Sequence, residues 1–176
     1  ELTDGDQIEF AGALTALHTP GHAPGSVCFV SIEATDDGED VAFTGDHILS
    51  RISPNPLLTL APGTDSERTR SLPQYLDALE KLRPYGSATA YTGHGEPVLE
   101  LEPRIDECRS HHHARKERIA SLLSEQGPLT AYTVMQELFP DLPATEMFPG
   151  MSEILGHLDL LEDEDRVTLV ESAGVT

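Results

Sequence analysis

The hydrophobic period of this chain changes once, and that change limits what it can fold into. Up to about Pro97 the apolar residues come in short runs of strand length: Ala13 to His18, Ser26 to Ile32, Val41 to Thr44 and Ala88 to Tyr91. From Pro103 the spacing becomes helical. Ile105, Cys108, His112, Ile119 and Leu122 share one face of a segment running to about Gln126, where Gly127-Pro128 stops it. Strands first and helices afterwards predict a mixed α/β chain in two regions, 1–100 and 101–176.

Within the first region, Thr35 to Asp40 is a turn that makes a hairpin of the second and third runs. Pro54, Pro56, Pro62 and Gly63 mark a long loop. One helix interrupts the strands, with Ser71 as its expected N-cap, Pro73 in its first turn and Leu72, Tyr75, Leu76, Leu79 and Leu82 as its apolar stripe; Pro84 and Gly86 end it. In the second region Thr130 caps a short helix carrying Val134, Met135, Leu138 and Phe139. A further helix is expected from Met151 to Leu161, then a turn over Asp163 to Arg166 and a strand from Val167 to Val170. Helices closed by a terminal hairpin suggest a small winged-helix-like α+β module.

The chemistry sits where apolar runs end. Thr19-Pro20-Gly21-His22 follows one strand, Thr44-Gly45-Asp46-His47 ends another, and Thr92-Gly93-His94-Gly95 ends a third. Glycines let the backbone turn tightly there, so side chains from separate strands can converge. Imidazole with carboxylate suits zinc, manganese or iron. Singly, each residue reads as an ordinary loop or capping group; together and in this order, His22, Asp46 and His94 read as metal ligands. His18 and His47, beside them, read as supporting or packing groups.

The stretch His18 to Ser26 with Thr44-Gly45-Asp46 resembles the later motifs of the metallo-β-lactamase superfamily. The resemblance implies the C-terminal half of an αβ/βα sandwich, in which His22 binds a first metal, Asp46 bridges a pair of ions and His94 binds the second. Asp46 is then also the catalytic carboxylate, positioning the attacking water between the ions. Zinc is the expected metal, with manganese or iron suiting the same donors. The family's His-x-His-x-Asp-His element, which supplies the remaining ligands from upstream, is not found in residues 1 to 21. A start at Glu1, just before the hairpin strand that includes Ile8 to Phe10, therefore reads as a truncation by cloning or proteolysis, and the chain alone as inactive.

Such an ion pair activates water and stabilises charge on a carbonyl or phosphoryl oxygen, which suits hydrolysis of a thioester, a lactam or a phosphodiester. Asp46 in place of a cysteine disfavours the lactam. The long helix, its His111-His112-His113-Ala114-Arg115 cluster and the winged-helix-like end resemble the β-lactamase-like endoribonuclease branch. That resemblance implies cleavage of single-stranded RNA; thioester hydrolysis of the glyoxalase II type is the alternative, and an inactive binding or assembly module is the reading from another class. Neighbours on a helix point about 100° apart, so His111, His112 and His113 cannot share one ion. His112 lies on the apolar stripe; His111 and His113 meet solvent or substrate. Arg115, Lys116 and Arg118 form either a solvated face or a contact with RNA or the catalytic half. His157 reads as structural.

Charge bears on partners and setting. With 31 acidic against 11 basic residues the net charge is −20, and lysine occurs only at positions 81 and 116. Such a surface on a chain that is 38% hydrophobic suits a halophilic cytoplasmic protein, because concentrated salt screens the self-repulsion. The helix expected over Met151 to Leu161 has no lysine or arginine, so sequence-specific DNA binding is not expected and the module reads as a packing or homodimerisation platform. Cys28, inside an apolar run, reads as a buried reduced thiol. No segment approaches the ~18 apolar residues of a membrane span, and the residues from Glu1 onward do not have the basic-then-apolar pattern of a signal sequence.

Overall fold

The computed structural model describes residues 2–9, 13–31, 40–61 and 63–170. A five-stranded sheet has the order β1 (Gln7–Glu9), β2 (Ala13–His18), β3 (Val27–Ser31), β4 (Val41–Gly45) and β5 (Thr89–Thr92). The first three neighbour pairs are antiparallel, while β4 and β5 are parallel and joined through helix α1 (Ser71–Leu82). It follows that β2, β4 and β5 all run the same way. Their carboxyl ends, and the motifs just beyond them, lie along one end of the sheet.

Register divides the sheet into two faces. Val30, Ala42 and Ala90 lie in one row and are buried against α1 and the start of α2 (Leu101–Gln126), in a core with Leu72, Leu79, Leu82 and Ile105. The neighbouring row, Phe29, Phe43 and Tyr91, points away from the helices. Phe43 and Tyr91 stack with centroids 5.6 Å apart yet remain 41% and 46% exposed. The second face thus carries aromatic rings that the described residues leave partly bare.

Helix α2 spans two cores. Leu101, Ile105 and Cys108 pack with the sheet, whereas Ile119 packs with α3 (Ala131–Leu138) and α4 (Met147–Asp163) through Val134, Met135, Ile154 and Leu161. Thr130 caps α3 as expected, its hydroxyl accepting from the Thr133 amide at 3.1 Å. Ser71 does not cap α1. The cap position is Arg70, and Ser71 instead donates its hydroxyl to the Leu57 carbonyl at 2.7 Å, fastening the long loop to the helix.

Helix α4 begins at Met147, four residues before the expected start at Met151, and Pro149 is accommodated in its first turn, where a missing N–H costs little. Residues 164–166 form the expected turn, with Asp165 at φ 55°. Val167 to Val170, however, is not a strand: it has no regular structure and borders an apolar groove with Leu158 and Leu123. Its β-rich composition has no partner strand among the described residues, so the helices stand without a formed wing. Phe10 of the first hairpin, Ile32 and most of the Thr35 to Asp40 turn lie outside the described residues. Both cysteines are free and buried, and burial pushes the Cys28 thiol up to about 12. Among the described residues no helix is long and apolar enough to cross a membrane.

Candidate metal centre

The turn after β2 is closed by Thr19 N–H to the Ser26 carbonyl at 2.9 Å, and Ser26 N–H to the Ala23 carbonyl at 3.2 Å. Gly21 has φ +136°, and a Cβ there would come within 2.5 Å of Tyr75 Cβ. Only glycine lets this turn lie on α1 and send His22 forward. After β4, the His47 amide donates to the Thr44 carbonyl at 3.0 Å, turning the chain so that Asp46 points outward and His47 inward. After β5, the Gly93 amide donates to the Gly45 carbonyl at 2.7 Å, binding the two parallel strand ends together. A Cβ on Gly93 would fall 2.3 Å from Asp46 Oδ1, so the carboxylate occupies the space that glycine vacates.

These turns bring His22, Asp46 and His94 together. Asp46 Oδ2 lies 3.8 Å from His22 Nε2, and its Oδ1 lies 3.6 Å from His94 Nε2. Each carboxylate oxygen therefore faces a different imidazole. The His22 ring is held from behind: Nδ1 donates to the Asn55 carbonyl at 3.1 Å. A carbonyl cannot donate, so Nδ1 carries the hydrogen, and in the neutral ring the Nε2 lone pair faces the carboxylate. Asp46 Oδ1 is buried without a hydrogen-bond partner. The His22 Nε2 lone pair thus faces a carboxylate whose other oxygen is buried and unpaired, an arrangement that a cation between them would relieve.

The donor set suits such a cation. Two ligands on one tetrahedral ion, each at about 2.1 Å, lie ~3.4 Å apart, close to both separations. A metal-bound histidine ordinarily donates its other nitrogen to a carbonyl or carboxylate, as His22 does. The three residues form two histidine–carboxylate pairs sharing Asp46 rather than a closed cluster. Among the described residues no group of three His, Cys, Asp or Glu encloses an ion by itself. His94 is open, its side chain 80% exposed.

The other histidines do not join them. His47 is buried against the Tyr75 ring at a centroid distance of 4.9 Å, and burial pushes it down to about 4, so it packs as a neutral ring. His18 is exposed and bonds through Nε2 to the Pro24 carbonyl at 2.9 Å. His112 is buried, with Nε2 2.8 Å from Ser53 Oγ, while His111 and His113 are exposed. His157, also buried, anchors Nδ1 on the Glu153 carbonyl at 2.7 Å. Sequence reasoning missed Asn55 and the packing role of Gly93. Prolines on both sides of Asn55 were the available signal, since they stiffen the loop that presents its carbonyl.

The carboxyl-end loops of the sheet thus gather two imidazoles about a shared carboxylate. The chain belongs to the metallo-beta-lactamase superfamily, whose sequence profile matches residues 2–94. A protein of Bacillus subtilis described as the probable metallo-hydrolase YqjP is 31% identical over 95% of this chain and 50% of its own length. An atrochrysone carboxyl ACP thioesterase of Aspergillus chevalieri is 27% identical over 88% of this chain and 48% of its own. The crystal structure of a metallo-beta-lactamase family protein from Thermus thermophilus superposes with a TM-score of 0.74 at 34% identity, covering 93% of this chain and 49% of that one. The chain thus spans about half the length of these relatives.

Proposed function

We propose that the protein is a metal-dependent hydrolase acting on a thioester, with zinc held in part by His22, Asp46 and His94. The observation that carries the metal reading is Asp46, whose two oxygens face different imidazoles while one of them is buried unpaired. The remaining ligands would come from the part of the relatives that this chain does not span. The partly bare row of Phe43 and Tyr91 supports a second layer packing on that face, in line with the division of this chain into a sheet half, 1–100, and a helical part, 101–176.

When bound, the ions supply an activated water and a positive field for the carbonyl oxygen. The chain's own residues orient and restrain. His22 is fixed in one tautomer by the Asn55 carbonyl, Asp46 is confined by Gly93, and His94 stands open at the rim.

Thioester chemistry is favoured over phosphodiester chemistry by charge. Arg115 is paired with Glu153 at 2.9 Å and lies over the Phe139 ring, and Lys116 is paired with Glu164. Those cations of the long helix are used within the chain, and a net charge of −20 opposes a polyanion. The thioesterase named among the relatives points the same way. The RNA reading, with a winged-helix-like module, rests on the order of α2, α3 and α4 and on the His111 to Arg115 cluster.

The test is thiol release from acyl-pantetheine and cleavage of single-stranded RNA by the full-length zinc-loaded protein, with Asp46→Ala as control. We expect thiol release, reduced at least a hundredfold by Asp46→Ala, and negligible RNA cleavage. RNA cleavage dependent on Asp46 without thiol release would replace the thioester reading. Thiol release indifferent to Asp46 would remove the site.

A further inference from the structure

His22 is oriented by a loop that is tied to the C-terminal helix as well as to α1, where Ser71 donates to the Leu57 carbonyl. Its Nδ1–H is received by the carbonyl of Asn55, and the Asn55 side chain in turn donates from Nδ2 to the Pro149 carbonyl in the first turn of α4 at 3.0 Å. Two further contacts fasten the same loop to the helical part. Ser53 Oγ meets His112 Nε2 of α2 at 2.8 Å, and the Leu58 amide donates to Ser152 Oγ of α4 at 3.3 Å. Between Ser53 and Leu58 the backbone Pro54-Asn55-Pro56 has two fixed φ angles and lacks two N–H donors, so it has fewer backbone hydrogen bonds with which to tie itself down. Ser152 and His112 are both buried, so these ties are sheltered from water.

We propose that Asn55 is a positioning residue for the metal centre, and that through it α4 sets the tautomer and direction of the His22 imidazole. The proposal rests on the reading of His22 as a metal ligand. A carbonyl shifted by the loss of the Pro149 tie no longer receives Nδ1–H, and the ring is then free to place its hydrogen on Nε2, where it blocks coordination. The helical part of the chain thereby belongs to the outer shell of the metal site.

The experiment uses the full-length protein, wild type and the variants Asn55→Ala and His22→Ala, with two readouts. Imidazole nitrogen NMR on the metal-free protein, with the His22 signals identified by their absence in His22→Ala, reports the tautomer; competition with a chromophoric chelator reports zinc affinity. We expect wild-type His22 to be protonated on Nδ1, and Asn55→Ala to give a mixture of tautomers with zinc bound about tenfold more weakly, the scale of losses seen when a ligand's supporting partner is removed. A role in stability alone would lower the melting temperature and leave both readouts unmoved. Wild-type His22 protonated on Nε2 overturns the proposal without any variant. If His22→Ala weakens zinc while Asn55→Ala matches wild type, only the role of Asn55 falls. Undiminished zinc affinity in His22→Ala removes the ligand reading, and the proposal with it.

Discussion

Acidification from pH 7 to pH 5 should destabilise this fold through a pair of histidines that have no part in binding metal. His112 and His157 face each other between α2 and α4, with Nδ1 of the first 3.4 Å from Nε2 of the second. Burial, reinforced by the neighbouring histidines and Arg115, pushes His112 down to about 3. Burial also pushes His157 down to about 4, although its bond to the Glu153 carbonyl pulls the other way. In the unfolded chain each titrates near 6.5. As the pH falls through 6.5 the unfolded state takes up protons that the folded state refuses until about 3 to 4. The stability contribution is therefore full above 6.5 and is lost across that window, at up to ~1.4 kcal/mol per pH unit for each ring. Between pH 7 and pH 5 this amounts to ~2 kcal/mol per histidine, against a typical total of about 5–15 kcal/mol. Urea unfolding at both pH values in constant salt measures it, with His112→Gln as comparison because glutamine does not titrate and can still meet Ser53. His47 and the carboxylates contribute equally to both proteins. We expect the pH-dependent loss to be smaller by ~2 kcal/mol in His112→Gln. Equal losses in the two proteins would refute the burial of a neutral His112.

Three other outcomes follow from named contacts. Gly93→Ala puts a Cβ 2.3 Å from Asp46 Oδ1; calorimetric zinc titration should give binding at least about tenfold weaker, with urea stability changed by less than ~1 kcal/mol. Gly21→Ala combines φ +136° with a 2.6 Å approach to the Tyr75 Cα, which is backbone and cannot swing away; it should lower the unfolding free energy by at least ~2 kcal/mol. Asp159 is 3% exposed and receives both Arg68 nitrogens, with Arg70 nearby. Asp159→Ala should cost ~2 kcal/mol in the same assay, below the usual figure for a buried pair because both arginines reach solvent.

What could be read from the sequence was whatever a local pattern encodes. Period and punctuation located the strands, α1, α2 and the cap at Thr130, because apolar spacing, proline and glycine act within a few residues. The convergence of His22, Asp46 and His94 was legible because all three follow strand ends, and strands running in one direction deliver their carboxyl ends to one side. Less accessible was anything decided by a distant partner. Ser71 has the chemistry of a cap but found the Leu57 carbonyl instead. Val167 to Val170 has strand composition, yet no neighbouring strand is present among the described residues to pair with it. Asn55 meets His22 through its backbone carbonyl, which every residue possesses, so only the flanking prolines hinted at it, and its side-chain partner Pro149 lies 94 residues away. The basic run after His113 could be a solvated face or a contact surface from sequence, and only the structure shows Glu153 and Glu164 opposite Arg115 and Lys116.

In the proposed site Asp46 serves both histidines through a metal. Metal content of the full-length protein, measured by plasma emission after dialysis against zinc and then against metal-free buffer, tests it directly for wild type and Asp46→Ala. We expect a pair of zinc ions per wild-type chain and fewer than one in the variant, since the shared carboxylate would contribute to both ions. Equal zinc content in the two proteins would contradict it.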